Sequence, residues 1–266
     1  MVRVPAVAGR FYPEDKESLE EELNLMFPTV IEKTKAIGAI VPHAGYMYSG
    51  KVAGAVYARL LPKSTYIIIS PNHTGVGSRF SLSEDLWQTP MGTVSINREL
   101  LDRISDEAGI LEVDPTAHAA EHSIEVQLPF LQRISPGFDI VPLTVRIGNV
   151  PELKKIAESI AKAINDIEAD AMIIASSDMS HYESRETTEY KDKIAIDRIL
   201  DLDAEGLIKV VEEKNISMCG YIPSAIMLLC AKNLGAKTAE LVEYSDSGYV
   251  SGETDQVVGY AGVIVS

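Results

Sequence analysis

Three of the five histidines in this 266-residue chain stand just beyond β-branched or aliphatic runs. His43 follows Ile37–Val41 within Pro42-His43-Ala44-Gly45, and His73 follows Tyr66–Ser70 within Pro71-Asn72-His73-Thr74-Gly75. His181 follows Met172–Ser176 after Ser177-Asp178-Met179-Ser180. If those runs are neighbouring parallel strands, their carboxyl ends form one edge, where ligands bind, and the three imidazoles converge there. A lone histidine at a strand end is more commonly a hydrogen-bonded boundary residue, and it is the repetition that argues for a site. Imidazoles joined by one anionic ligand, with positions left open, describe either a non-haem Fe(II) centre or a catalytic zinc centre. Two side chains offer the non-histidine donor. Asp178 lies three residues before His181, and Cys219 lies in Ser217-Met218-Cys219-Gly220-Tyr221. A thiolate is a soft donor that favours iron, copper or zinc, although a cysteine beside a glycine is also an ordinary small packed residue.

A second cluster is Glu121-His122-Ser123-Ile124-Glu125-Val126-Gln127. Read as the opening of a helix over Ser123–Ile134, it places Glu121 and Glu125 on one face and sets Glu121, His122 and Ser123 at the end where free N–H groups meet a substrate anion. An acidic first turn is equally ordinary helix capping. His118 reads as a loop residue without a role.

The elements that must position these residues follow from periodicity. Strands are expected at Ile37–Val41, Tyr66–Ser70, Asp139–Val145, Met172–Ser176, Ala239–Tyr244 and Val257–Val265, with edge pairing from Arg79–Ser83 and Thr93–Ile96. Helical spacing or composition marks Gly50–Leu60, Arg98–Ala108, Ser123–Ile134, Pro151–Asp166, Thr188–Leu200, Ala204–Glu213 and Pro223–Leu234. Asn97 and Asp203 suit helix caps, Pro151 suits a first helical position, and Gly235 follows a helix end. Such alternation specifies an α/β fold, a three-layer αβα sandwich around a central, largely parallel mixed sheet. No linker or repeat divides the chain, so residues 1–266 are expected to form a single domain.

Charge narrows the function. With 24 Lys+Arg against 39 Asp+Glu the formal charge is −15, which argues against a nucleic-acid partner and disfavours phosphate-rich ones. No apolar run approaches the ~20 residues of a membrane span, and Met1-Val2-Arg3-Val4-Pro5 lacks the layout of a secretory signal, so a cytoplasmic protein is expected. Cys219 and Cys230 are poor material for a disulfide framework, and Cys230, inside an apolar run, reads as core.

Taken in order, Pro42-His43-Ala44-Gly45-Tyr46, Pro71-Asn72-His73, Glu121-His122-Ser123-Ile124-Glu125 with Leu128-Pro129, Ser176 to His181, and Met218-Cys219-Gly220 with Pro223 resemble the Memo family. Its prokaryotic members are called protein B of the AmmeMemoRadiSam system. The opening Ala6 to Pro13 and the closing Val258 to Ala261 extend the likeness over nearly the whole chain. The Memo fold in turn resembles the catalytic subunit of class III extradiol dioxygenases, Fe(II) enzymes that open catechol rings. That resemblance implies His43 and His73 as metal ligands, His181 as the catalytic histidine with Asp178 as its orienting partner, and Cys219 as third ligand where the dioxygenases carry a glutamate. Because a thiolate alters the metal and is itself oxidisable, ring cleavage is not inherited with the fold. The implied cofactor is a divalent or redox-active metal, iron first, then copper or zinc. The implied partners are a small molecule or peptide in the strand-end pocket, together with radical SAM and AMMECR-type proteins. Three functions follow from these residues: a metal-dependent oxidoreductase, a non-catalytic metal-responsive module in which Glu121–Ser123, Tyr46, Tyr48 and Tyr182 line a recognition groove, and a zinc hydrolase.

Overall fold

The computed structural model describes residues 1–29 and 32–266. At the centre of its sheet four strands run parallel in the order Asp139–Val145, Thr65–Pro71, Ala171–Ser176 and Gly38–Val41. Their sequences are near-continuous aliphatic runs because helices cover both faces, so no alternation with polar residues is required. Val257–Val265 joins antiparallel beside Gly38–Val41, and Ala239–Asp246 pairs with it in turn. At the opposite side Gly92–Ile96 lies parallel to Asp139–Val145, followed by Leu86–Thr89 and then Val2–Arg3.

On one face the Arg98–Ala108, Val150–Asp166 and Tyr221–Asn233 helices pack together against the central strands. On the other lies the Tyr46–Arg59 helix, flanked by Lys16–Met26 and Leu128–Ile134. Three layers result, in agreement with the α/β sandwich that the periodicity specifies. The Val150–Asp166 helix shows why. Leu153, Ile156, Ala157, Ile160, Ala163 and Ile164 recur at helical spacing and are all buried, while Asn149 and Glu152 close a capping box at its start. Asn97 and Asp203 cap as expected, through the amides of Leu100 and Gly206. Gly235 adopts φ +94°, a conformation that an L side chain rarely takes. Both cysteines are free, and Cys230 is buried in the core.

Three expectations need correction. The helix read over Ser123–Ile134 is instead a 3₁₀ turn, Glu125–Gln127, running into a helix at Leu128–Ile134. Pro129 begins that helix because its missing N–H costs nothing there. Glu121 therefore does not start a helix, and the proposed anion site at a helix N-terminus is absent. His181, expected in a loop, opens the short strand His181–Glu183, which pairs antiparallel with Val257–Val265. His118 lies in the short helix Thr116–Ala119, fully buried. Among the described residues no helix is long and apolar enough to cross a membrane.

Candidate metal centre

Register carries the loops to one place. Val41 pairs with Ser176 and Pro71 with Val145, so the segments leaving these strands emerge side by side at the carboxyl edge. There the ligand-capable nitrogens of His43, His73 and His122 lie within 4.8 Å of one another. Their rings stand 4.9 to 5.5 Å apart between centroids.

Hydrogen bonding decides which nitrogen each ring presents. Ser176 Oγ donates to the carbonyl of Ser123 at 2.7 Å, and its hydrogen is thereby committed. It can only accept from His43 Nδ1, 2.9 Å away, which places the ring proton on Nδ1 and leaves a lone pair on Nε2. His73 Nδ1 lies 2.9 Å from Glu121 Oε1, a carboxylate oxygen, so it too carries the proton and frees Nε2. Metal-binding histidines are characteristically oriented in this way by an acceptor on the second nitrogen. His122 Nδ1 sits 3.5 Å from the same Glu121 oxygen.

Glu121 is almost fully buried and makes four short contacts. It accepts the His73 amide at 2.6 Å, His73 Nδ1, the Ser123 hydroxyl at 2.7 Å and the Ser123 amide at 3.1 Å. Burial raises its pKa, but the hydrogen bonds and charge of His73, with Ser123 and His122, outweigh that and bring it down to about 2. The pKa of His73 is correspondingly raised, burial pulling it down and Glu121 overcoming the pull. Burial, then repulsion from His73, His122 and His181, holds His43 well below the usual imidazole range. Burial likewise lowers His122. A neutral imidazole is the form that binds metal, so His43 and His122 are ready for it near neutral pH.

Cys219, implied as third ligand by the family resemblance, lies against His43 but outside the group of three nitrogens, where His122 stands instead. Its Sγ lies 3.3 Å from His43 Nε2 and accepts the Asp178 amide at 3.3 Å. Burial first, then the carboxylate of Asp178, pushes its thiol pKa up, so without a cation the sulfur is protonated. Gly220 permits the approach, because a Cβ there would stand 2.4 Å from both the Ser176 carbonyl and the Ser177 side chain.

Asp178 is spent differently from what the sequence implied. Its Oδ1 accepts the His43 amide at 2.7 Å, fastening the two loops together. His181 is oriented by Ser217, whose carbonyl accepts from Nδ1 at 2.9 Å and whose hydroxyl accepts the His181 amide at 2.7 Å. That leaves Nε2 as the ring nitrogen not engaged by Ser217. A cleft of about 600 Å³ is lined by His43, His73, His122, Asp178, His181 and Tyr48, with Phe11, Tyr182 and Tyr260 among its other walls. Tyr46, assigned to a recognition groove from sequence, is buried and donates to the Val126 carbonyl at 2.7 Å. Ser123 is also buried, behind His73, with its hydroxyl engaged.

The structure thus brings His43, His73 and His122 into one group, places Cys219 against His43, and sets Asp178, His181 and Tyr48 in the same cleft. The ligand capability of His122, read from sequence only as substrate contact, was hidden because no strand end precedes it. Ser176 and Ser217, which fix two of the rings, carry no sequence signal of that role. Three clustered imidazoles, two of them with Nδ1 committed to an oxygen, in a cleft beside a sulfur, fit a borderline or soft divalent ion better than magnesium or calcium.

Comparison with known proteins agrees with this architecture. MEMO1 family proteins of Methanosarcina acetivorans and Methanosarcina mazei are each 45% identical over 266 residues, covering 99% of this chain and of the relative. One from Methanothermobacter thermautotrophicus is 42% identical over 274 residues, covering 98% of this chain and 99% of its own. An uncharacterized protein from Escherichia coli K12 superposes with a TM-score of 0.50 at 14% identity, covering 85% of this chain and 99% of that one, a likeness of fold alone. The profile of the Memo-like protein family matches residues 3–264, so this chain belongs to that family.

Proposed function

We propose that the protein is a metal-dependent oxidoreductase whose ion is held by His43 and His73, with His122 and Cys219 as the further donors in reach. The observation that supports this most is the direction of the ring protons. His43 and His73 both give Nδ1–H to a buried oxygen, so both keep Nε2 for a cation. A redox-active ion such as iron would supply one-electron chemistry and a Lewis-acidic centre for a chelating substrate. The chain's own residues do the rest. Glu121 and Ser176 hold the ligand rings in their tautomers, and Asp178 ties the His43 loop to the loop that carries His181. His181, which lines the cleft and has its Nδ1 committed to Ser217, takes a proton from a substrate hydroxyl and returns it.

A non-catalytic binding role draws support from the rim, where Tyr182 is 73% exposed and reaches the cleft. Anaerobic titration with Fe(II), Cu(II) and Zn(II), followed by elemental analysis, separates these readings. Wild-type protein should take up one ion per chain, His43→Ala and His73→Ala none. The difference between His122→Ala and Cys219→Ser identifies the third donor. Substrate-dependent O₂ consumption lost in His181→Gln, with metal content unchanged, supports catalysis. Metal uptake equal in wild type and both histidine variants would refute the centre.

A further inference from the structure

The histidine cleft shares part of its wall with a neighbouring cavity. A second cavity of about 410 Å³ lies between the Gly9–Pro13 turn, the start of the Tyr46–Arg59 helix and Glu22, and it shares Phe11, Gly45 and Tyr48 with the first. Its walls are preformed. The Gly9 amide donates to the Tyr12 carbonyl at 2.8 Å, with Gly9 at φ +75°, and the Tyr46 amide donates to the Phe11 carbonyl at 2.8 Å, fixing the turn to the helix. Phe11, Met47 and Tyr48 give it apolar surface, while Arg10 and Glu22 give it one charge of each sign. In a chain of formal charge −15, Arg10 enters no ion pair among the described residues.

We propose that this second cavity is a substrate subsite: an elongated ligand seats its head at the histidines, passes between Phe11 and Tyr48, and presents a terminal carboxylate to Arg10. This deepens the reading of the histidine cleft as the substrate site and rests on it. The apolar stretch suits methylenes or a ring, and a guanidinium suits a carboxylate because its planar fork makes two parallel hydrogen bonds. Glu22 sets the charge that fits. Both anions would face Glu22 across the cavity, and the repulsion grows with ligand charge, so a carboxylate monoanion paired with Arg10 is accommodated better than a phosphate dianion.

The test uses a series of catechols as chelating heads, carrying ω-carboxylate tails of increasing length, each with its methyl ester and phosphonate counterpart. Binding to the metal-loaded full chain is measured by calorimetry, alongside elemental analysis. Affinity should rise about tenfold or more once the tail spans the shared wall. That gain should be absent from the ester, smaller for the phosphonate, and lost in Arg10→Gln, an exposed turn position whose replacement leaves the tail-less catechol binding as before. A flat length series, a gain that survives in Arg10→Gln, or no binding of any acid overturns the subsite. The two readings fail separately. Metal and head binding with a flat series removes only the subsite. An acid–ester difference that depends on Arg10 in protein shown to hold no metal keeps the subsite and removes the metal.

Discussion

A histidine serves as a ligand or as structure according to where its two nitrogens are spent, and this chain contains both outcomes. His118 uses both. Its Nε2 lies 3.0 Å from the Ser81 carbonyl, which can only accept, and its Nδ1 lies 3.1 Å from Thr144 Oγ1, which must then donate. Nothing is left for a cation, and Trp87 stands against the ring edge. Burial lowers its pKa from 6.5 to about 4. Between those values the unfolded chain binds a proton that the folded chain refuses, so the stability is whole above the unfolded pKa and drains as pH falls through the window. The loss from this one group is about 3 kcal/mol. Urea denaturation between about pH 7 and pH 4 should therefore give a shallower acid slope for His118→Asn than for wild type, by up to one proton. An unchanged slope would mean that His118 is not refused its proton.

Strand ends could be located in the sequence to within a residue or two because aliphatic runs bounded by Pro and Gly have few other readings, and Asp139–Val145 and Val257–Val265 were legible to the residue. That was enough to find His43 and His73. Contacts made across the fold were not legible. Glu121 meets His73 across 48 residues, and Asp178 meets the His43 amide across 135, distances at which no local pattern survives. The Lys16–Met26 helix gives a weak signal for a related reason, since only Leu19, Leu23 and Met26 are buried on it and most of the rest is charged or polar. The Tyr221–Asn233 helix shows how an element's entry controls the site. Gly220 precedes it in close contact with the Ser176–Ser177 backbone, and Cys219 is thereby held against His43. Gly220→Ala forces Cβ into atoms 2.4 Å away and should cost about 1–3 kcal/mol by overpacking. Differential scanning calorimetry should show the lowered Tm. Alkylation of Cys219 should also become faster than in wild type, since the loop must move outward to make room. A variant that melts as wild type would show that the contact relaxes freely.

At the scale of the molecule, the amino-terminal segment reaches across the sheet edge to build one wall of the cleft, and a buried ion pair holds it there. Arg3 and Glu125 are both almost wholly enclosed. Glu125 also accepts the amides of Ala6 and Val7 and the hydroxyl of Tyr12, while Arg3 donates to the carbonyls of His118 and Glu121 and lies over the Trp87 ring. Every polar atom of the carboxylate is therefore engaged, and the Phe11 turn is fixed between Glu125 and the Tyr46 amide. Removing one partner strands a buried charge, at about 3–5 kcal/mol, whereas replacing both with apolar residues of similar volume leaves no orphan and costs far less. Arg3→Met should thus destabilise strongly in urea, and Arg3→Met with Glu125→Leu should recover part of the loss, though not the hydrogen bonds to Ala6, Val7 and Tyr12. The readouts diverge beyond that point. Because those three bonds hold the turn that carries Arg10 and Phe11, the double variant should regain stability yet still bind long-tailed acids more weakly than wild type. Equal recovery of stability and tail binding would show that the turn is held by the sheet alone and that Glu125 has no part in shaping the cleft.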